Sequence, residues 1–336
     1  MQTYQREELW FPCSLDILAW DDAFHALMLG DQLRMEAYEA AIKRAIKPRD
    51  IVVDLGTGTG ILARWACEAG AHRVYGIECN ANMLDRANNT LTHLGYGERF
   101  IGLNALSYAV ELPERADVIV SEIIGNLGDN EDCGRILADA RQRMLAPKGR
   151  MLPQQLATYL VPVCSPNLHR QISEGVCRSV SQTQDIRQLL DALGLRSPFD
   201  TYYDAILPRS TYLSLPQPAR RFDFEEDGYA TDYTVALRFP ANASGTLTGF
   251  KGFFVADLRN GILLNIEGDD HGIGRYSDSW KHAYLPLQQP LTVHRGDVID
   301  VTLSRRAQNG TDSPFACRYH WKANVHSSQG IERMPA

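Results

Sequence analysis

The sequence predicts an α/β unit built on a parallel sheet, followed by an all-β unit that carries a helical insertion. Three observations lead there. Residues 51–80, IVVDLGTGTGILARWACEAGAHRVYGIECN, read as strand, tight turn, helix and strand. Strand-like and helix-like segments then alternate as far as residue 152. Beyond it, short alternating apolar segments separated by Pro, Gly and Asn take over, the pattern of a barrel or sandwich. A chain of 336 residues is long enough for one large domain or two ordinary ones.

Composition narrows the function classes. Hydrophobic residues at 44% and charged residues at 22% are those of an ordinary globular protein. No apolar run approaches the roughly 18 residues of a membrane span, so no membrane association is expected. The net charge of −7 disfavours nucleic acid, whose phosphates call for clustered Lys and Arg, and suits a cationic substrate. The start, MQTYQREELWFPC, lacks the basic-then-apolar order of a secretory signal. Seven cysteines without a CxxC pair fit free thiols in a reducing compartment, so a cytoplasmic protein is expected.

In chain order, residues 1–45 are rich in aromatics and helix formers, with Phe24, Leu27, Met28, Leu33 and Tyr38 at helical spacing. Asp31 and Arg34 stand one helical turn apart and can share a face. The strand Ile51-Val52-Val53 ends in Asp54 and leads into Gly56, Gly58 and Gly60. Glycines there permit backbone conformations closed to other residues and let a ligand approach the main chain. The next strand ends in Glu78, an acid suited to accept hydrogen bonds from two ribose hydroxyls. The spacing is G-x-G-x-G, shorter than the dinucleotide fingerprint G-x-G-x-x-G. It resembles the nucleotide loop of class I S-adenosylmethionine-dependent methyltransferases, whose cofactor has no pyrophosphate to seat on a helix N-terminus.

A helix over residues 80–94, a strand over 100–103 and a strand over 116–120 follow. The last runs into SEIIGNLGDNE, residues 121–131, placing Glu122 at the carboxyl end of a strand, where open parallel sheets bind ligands. Residues 132–145 read as a helix broken by Pro147-Lys148-Gly149. Strands are expected over 157–163, 211–215, 234–239, 246–258, 262–266, 291–293, 298–303 and 315–325. Residues 168–207 are helix-like and polar. Gly268-Asp269-Asp270-His271 reads as a solvated turn, and no metal is expected.

With these pieces in place the chain resembles the protein arginine methyltransferases. The matching motifs are HALMLGDQLRMEAY (residues 25–38), VVDLGTGTGIL (52–62), GIEC (76–79), SEIIGNLGDNE (121–131) and LAPKGRMLP (145–153). The resemblance implies an N-terminal helical segment over the cofactor (1–45), a Rossmann-like methyltransferase domain (46–152) and a β-barrel domain (153–336) with a dimerisation arm at about 168–207. It implies a homodimer, and S-adenosylmethionine held by Arg34, Asp54, Gly56, Gly58, Gly60, Glu78, Asn104 and Ala105. Arg34 would meet the carboxylate of the cofactor. Glu122 and Glu131 look like the family's double-glutamate loop, gripping an arginine guanidinium, with Ser279 and Trp280 also at the acceptor. The acceptor would be arginine in a protein or peptide, or a small guanidino compound.

Independent physics agrees, because a guanidinium is planar, permanently charged and forked, and two carboxylates can hold it from two sides. The chain departs from the family's Thr-His-Trp, since Ser279 stands where the histidine belongs, and serine is a poor proton acceptor near neutral pH. His282 or His25 could take that place. Two other readings stay open: a natural-product methyltransferase with a non-arginine acceptor, and a non-catalytic scaffold of the same fold.

Overall fold

The structure, a computed structural model, describes residues 6–14, 22–178, 183–226, 230–268, 277, 279–308 and 317–327. Residues 15–21 of the N-terminal segment, Asp278 beside Ser279, and Asp269, Asp270 and His271 of the expected solvated turn lie outside the described residues.

Helices α1 (Asp22–Gly30) and α2 (Gln32–Ala45) open the fold. Asp31 caps α2, its carboxylate accepting from Arg34 N at 3.2 Å. The buried face of α2 is Tyr38, Ala41, Ile42 and Ala45, a three-and-four spacing that seats the helix on the sheet. Then come β1 (Ile51–Leu55), α3 (Ile61–Glu68), β2 (Arg73–Glu78), α4 (Ala81–His93), β3 (Phe100–Asn104), β4 (Ala116–Ser121), α5 (Cys133–Met144) and β5 (Leu145–Leu152). The five strands form one parallel sheet in the order β3-β2-β1-β4-β5. β1 and β4 are covered on both faces, which is why they read as unbroken apolar runs. The order reverses at β1 and β4, so the crevice at their carboxyl ends is where a ligand is received.

Strand β5 is a departure from expectation. Pro147-Lys148-Gly149 ends no helix; α5 stops at Met144 and β5 begins at once. The tripeptide instead bulges β5, whose register against β4 shifts between Ala116 and Val118, with Lys148 at φ 65°.

The chain continues through β6 (Gln155–Val163), α6 (Pro166–Glu174), β7 (Val176–Arg178), β8 (Thr183–Asp185), α7 (Ile186–Leu193), β9 (Tyr203–Ala205), β10 (Gln217–Asp223), β11 (Tyr233–Pro240), β12 (Gly245–Asp257), β13 (Leu263–Asn265), β14 (His282–Val293), β15 (Val298–Ala307) and β16 (Cys317–His326). One antiparallel sheet runs β10-β6-β12-β14-β9, with β13 on β12, and a second runs β11-β15-β16. Leu160, Phe250 and Leu285 of the first share a core with Phe239, Ile299, Val301 and Leu303 of the second.

Three expectations change here. Residues 211–215 are not a strand but follow a short 3-10 turn, Arg209–Thr211, between Pro208 and Pro216. β10 was hidden by its charges: Arg220 and Arg221 interrupt an alternation in which Ala219 and Phe222 turn inward. The 168–207 segment is no continuous helical arm but helix, hairpin, helix and short strand. Its apolar residues are partly used within the subunit, since Ile186 is buried and Leu190 and Leu193 pack on the main core. Among the described residues no helix is long and apolar enough to cross a membrane.

Candidate active site

The glycine loop is built around two acids. Asp54 is fully buried and its Oδ2 accepts from Thr57 Oγ1 at 2.6 Å and Ala63 N at 3.0 Å. Burial pushes its carboxyl up to about 7. Asp54 therefore shapes the turn from beneath and does not line the cavity. Gly56, at φ 77°, passes so close to Ile123 that a Cβ would stand 2.9 Å from its Cγ2. Gly60, at φ 83°, caps α3 against Ala87 and also lies off the cavity. Glu78 Oε2 accepts from Gly58 N at 2.9 Å, and Oε1 from Asn80 N at 2.8 Å, so this acid braces the loop it faces. Oε1 also accepts from Cys79 Sγ at 3.6 Å, whereas Oε2 keeps a second acceptor position. Asn104 turns back to donate to the carbonyls of Glu78 and Cys79 at 2.9 and 3.2 Å, leaving Ala105 at the cavity wall.

Arg34, Glu122, Glu131, Gly56, Gly58, Glu78, Ala105, Ser279 and Trp280 surround one cavity of about 260 Å³. Asp54, Gly60 and Asn104 do not. The Arg34 guanidinium is ion-paired with Glu122 and lies 4.8 Å over the Trp280 ring. Its Nε is buried without a hydrogen-bond partner, and desolvation draws the group down to about 10. Trp280 is fixed by Nε1 donating to Ile124 O at 2.8 Å. Glu131 faces the same space; burial pushes its carboxyl up to about 7, against the pull of Arg34 and with the help of Asp204.

Asp31, which caps α2, is fully buried. Its Oδ2 accepts from Ser277 Oγ, from Ser279 N at 3.0 Å and from Ser279 Oγ at 2.7 Å. Two serines thus satisfy Asp31 Oδ2, with no imidazole among its partners. His282 does not substitute: Nδ1 accepts from Leu207 N at 3.0 Å, Nε2 bonds Ile266 O at 3.0 Å, and burial holds the ring neutral. His25 lines the cavity.

The loop between Glu122 and Glu131 is held from both ends. Asn130 donates to Ser14 Oγ, Asn126 Oδ1 and Tyr202 OH at 2.9, 3.0 and 3.1 Å, and its Oδ1 accepts from Leu127 N at 2.9 Å. From β15, the buried Arg305 donates to Asp129 O at 3.2 Å, Thr231 O at 2.9 Å and Asp132 Oδ1 at 2.8 Å. Tyr319 OH donates to Asp129 Oδ1 at 2.6 Å. Asp204, Lys281 and Arg305 escaped the sequence reading. Only Arg305 left a trace there, as a charge at the inward step of Val301, Leu303, Arg305.

The pattern of the PRMT5 oligomerisation domain matches residues 155–332, and a methyltransferase-domain pattern matches residues 52–149. Protein arginine N-methyltransferase 5 of Xenopus laevis is 26% identical over 295 residues, covering 82% of this chain and 43% of its own length. The chain thus spans less than half of that relative. Arginine N(omega)-methyltransferase of Streptomyces achromogenes subsp. streptozoticus is 27% identical over 293 residues, 83% of this chain and 75% of the relative. The Trypanosoma brucei PRMT1 enzyme-prozyme heterotetrameric complex with AdoHcy shares the fold at a TM-score of 0.72 and 18% identity, over 90% of this chain and 98% of that one.

Proposed function

The chain belongs to the protein arginine methyltransferase family, and from that premise we propose that it moves a methyl group from S-adenosylmethionine to a guanidino nitrogen. One observation carries the acceptor class: a guanidinium, that of Arg34, already sits against Glu122 and over Trp280 in the wall of the switch-point cavity. The cavity walls therefore accept a flat cation between a carboxylate and an aromatic face.

Residues lining the same cavity fit the cofactor. The partnerless Arg34 Nε is a buried donor suited to a carboxylate, Glu78 Oε2 retains an acceptor position for a ribose hydroxyl, and the Gly56–Gly58 turn leaves room where side chains would stand. When bound, S-adenosylmethionine supplies an electrophilic sulfonium methyl. Glu122 and Glu131 hold the acceptor by charge-assisted hydrogen bonds, draw positive charge towards the nitrogens they touch and leave electron density on the third. Methylation releases one proton. Glu131, with its carboxyl raised to about 7, is the group suited to take it; Ser279 is not. A labelled methyl donor offered to arginine, guanidino small molecules, arginine-rich peptides and non-guanidino acceptors tests this. Label confined to non-guanidino products would overturn it in favour of a natural-product acceptor of another class.

Glu78→Ala is expected to weaken S-adenosylmethionine binding by about 1–3 kcal/mol in calorimetry, through a lost ribose acceptor and a loosened Gly58. Equal affinities in variant and wild type would count against this pocket.

The domain reading is that residues 1–45 cover the cofactor, 46–152 bind it and 153–336 support the acceptor loop. It is supported by the parallel sheet ending at Leu152 and the antiparallel one starting at Gln155. We read the protein as a homodimer, on the oligomerisation-domain match, which includes the α6–α7 segment. Light scattering at micromolar concentration should give twice the chain mass; a fully active monomer would sink the dimer.

A further inference from the structure

The chain leaves β13 at Asn265 and re-enters the sheet at His282, the first residue of β14. In between it delivers Ser277 and Ser279 to Asp31, and Trp280 to Arg34. Two buried side chains that do not line the cavity tie the ends of this excursion together. The first is Lys251, at the middle of β12, fully buried as a lysine rarely is unless its charge is met. Its Nζ donates to Leu207 O at 2.8 Å and to Glu267 O at 2.6 Å. It also lies 5.1 Å over the Tyr212 ring and 5.5 Å over that of Phe253.

The second is His282. Leu207 N donates to its Nδ1, so that nitrogen carries no proton. Nε2 therefore holds the ring's one hydrogen and donates it to Ile266 O, both bonds being 3.0 Å long. The four bonds close a ring that runs from Leu207 to His282, across to the neighbours Ile266 and Glu267, and back through Lys251 to Leu207. Arg209 braces it from outside, gripping the Glu267 carboxylate at 3.1 and 2.8 Å, and Tyr212 OH adds a bond to the same group at 3.3 Å. A second proton on His282 would break the bond from Leu207 and set a cation beside Lys251. Burial and that lysine accordingly draw the imidazole well below its ordinary range.

Trp280 stands two residues before this neck. Its ring meets Phe254 edge-on at 5.1 Å, and its Nε1 donates to Ile124 O at 2.8 Å. Ile266 N donates to Phe254 O at 3.3 Å, so the residue that His282 fixes is bonded to the one on which Trp280 packs. We propose that Lys251 and His282 are positioning residues for the acceptor site: by closing the neck between Ile266 and His282 they hold the Trp280 ring where a guanidinium lies against it. The assignment rests on the guanidino-nitrogen reading given above. A misplacement of about 1 Å, caused far from the chemistry, can slow a reaction about a hundredfold.

The test reads two signals on the full chain. One is the indole N–H resonance of Trp280, identified by its loss in Trp280→Phe. The other is kcat/KM for L-arginine and for an arginine-centred peptide, taken on protein that melts cooperatively. The two halves of the ring are separated at His282. Glutamine reaches as far as Nε2 and can donate to Ile266 O, whereas asparagine reaches only as far as Nδ1 and can accept from Leu207 N. Lys251→Met and His282→Asn should shift the resonance and lower kcat/KM by at least about tenfold, while His282→Gln keeps most of both. In a Trp280→Leu background the same substitutions should cost nothing further, because the group they position is gone. An unmoved resonance, a shifted one with kcat/KM intact, or losses that add to that of Trp280→Leu would make the ring a stability element alone and overturn the proposal. If Lys251→Met does not fold, His282→Asn against His282→Gln decides. If the wild type methylates neither acceptor, the guanidino reading falls, and the resonance in these variants still decides whether the ring holds Trp280.

Discussion

Glu131→Gln is expected to reduce methyl transfer by several orders of magnitude while S-adenosylmethionine still binds. The substitution keeps the shape of the side chain and removes its charge, at a position 9% exposed that faces the Arg34 and Glu122 pair. Losing one partner of a buried, hydrogen-bonded ion pair costs about 3–5 kcal/mol, which is hundreds- to thousands-fold in rate if paid at the transition state. Ser279→Ala is the internal contrast. It removes one of the three hydrogen bonds Asp31 Oδ2 accepts, leaving those from Ser277 Oγ and Ser279 N, and should slow turnover by less than roughly tenfold. If Ser279→Ala stops the reaction and Glu131→Gln spares it, the acceptor is not a guanidinium held by this loop.

The same variant has a stability signature of opposite sign. The Glu131 carboxyl is raised from 4.5 to about 7, so the folded chain holds this proton more tightly than the unfolded one. Stability then falls as pH rises from 4.5 to about 7 and levels off above, by about 3 kcal/mol at most. Glu131→Gln removes that titration. It should melt above the wild type at alkaline pH, with the gap closing below 4.5, where the native carboxyl is already neutral. For activity the direction reverses: a guanidinium needs the carboxylate, so the acceptor KM should drop as pH rises through about 7. A KM flat across that range would mean Glu131 does not touch the acceptor.

What the sequence made legible is what lies close along the chain. The turn at Gly56 and Gly58, Glu78 closing the next strand, and the pair Glu122 and Glu131 all fall within stretches whose spacing is set by one strand–loop–helix unit. Asp54 was legible as part of that turn but not in its role, because a carboxylate under the loop and one facing a ligand look alike in a string of letters. The missing histidine at Ser279 was visible; that two serines would satisfy Asp31 was not, since Ser277 matches no family motif. Asp204 was hidden because β9 is only three residues long, too short to show an alternation. Lys281 was passed over beside Trp280, its burial being decided by a strap at the far end of the chain.

Arg305→Met is expected to destabilise the fold by about 3–5 kcal/mol and to lower turnover well beyond that loss of folded protein. Arg305 is 1% exposed, and its partners on the acceptor loop, Asp129 and Asp132, bracket Glu131. Its Nε also stands 3.4 Å from Asp129 Oδ2, an oxygen with no hydrogen bond of its own, and the surrounding acids hold the guanidinium charged. Methionine fills the volume but leaves those two carboxylates without the cation that offsets them. Arg305→Lys keeps the charge yet cannot span three acceptors on separate segments, so it should recover part of the stability and less of the rate. The decisive variant combines Arg305→Met with Asp129→Asn and Asp132→Asn. Neutralising a buried ion cluster as a whole is often tolerated, so melting temperature should return towards wild type. Turnover should not, because nothing then pins the loop at the place where Glu131 meets the acceptor. Recovery of both would mean that β15 supplies stability alone. Recovery of neither would mean that the cluster is needed to fold the loop at all. Restored melting with absent turnover and intact S-adenosylmethionine binding is the result that makes Arg305 a positioning residue for Glu131.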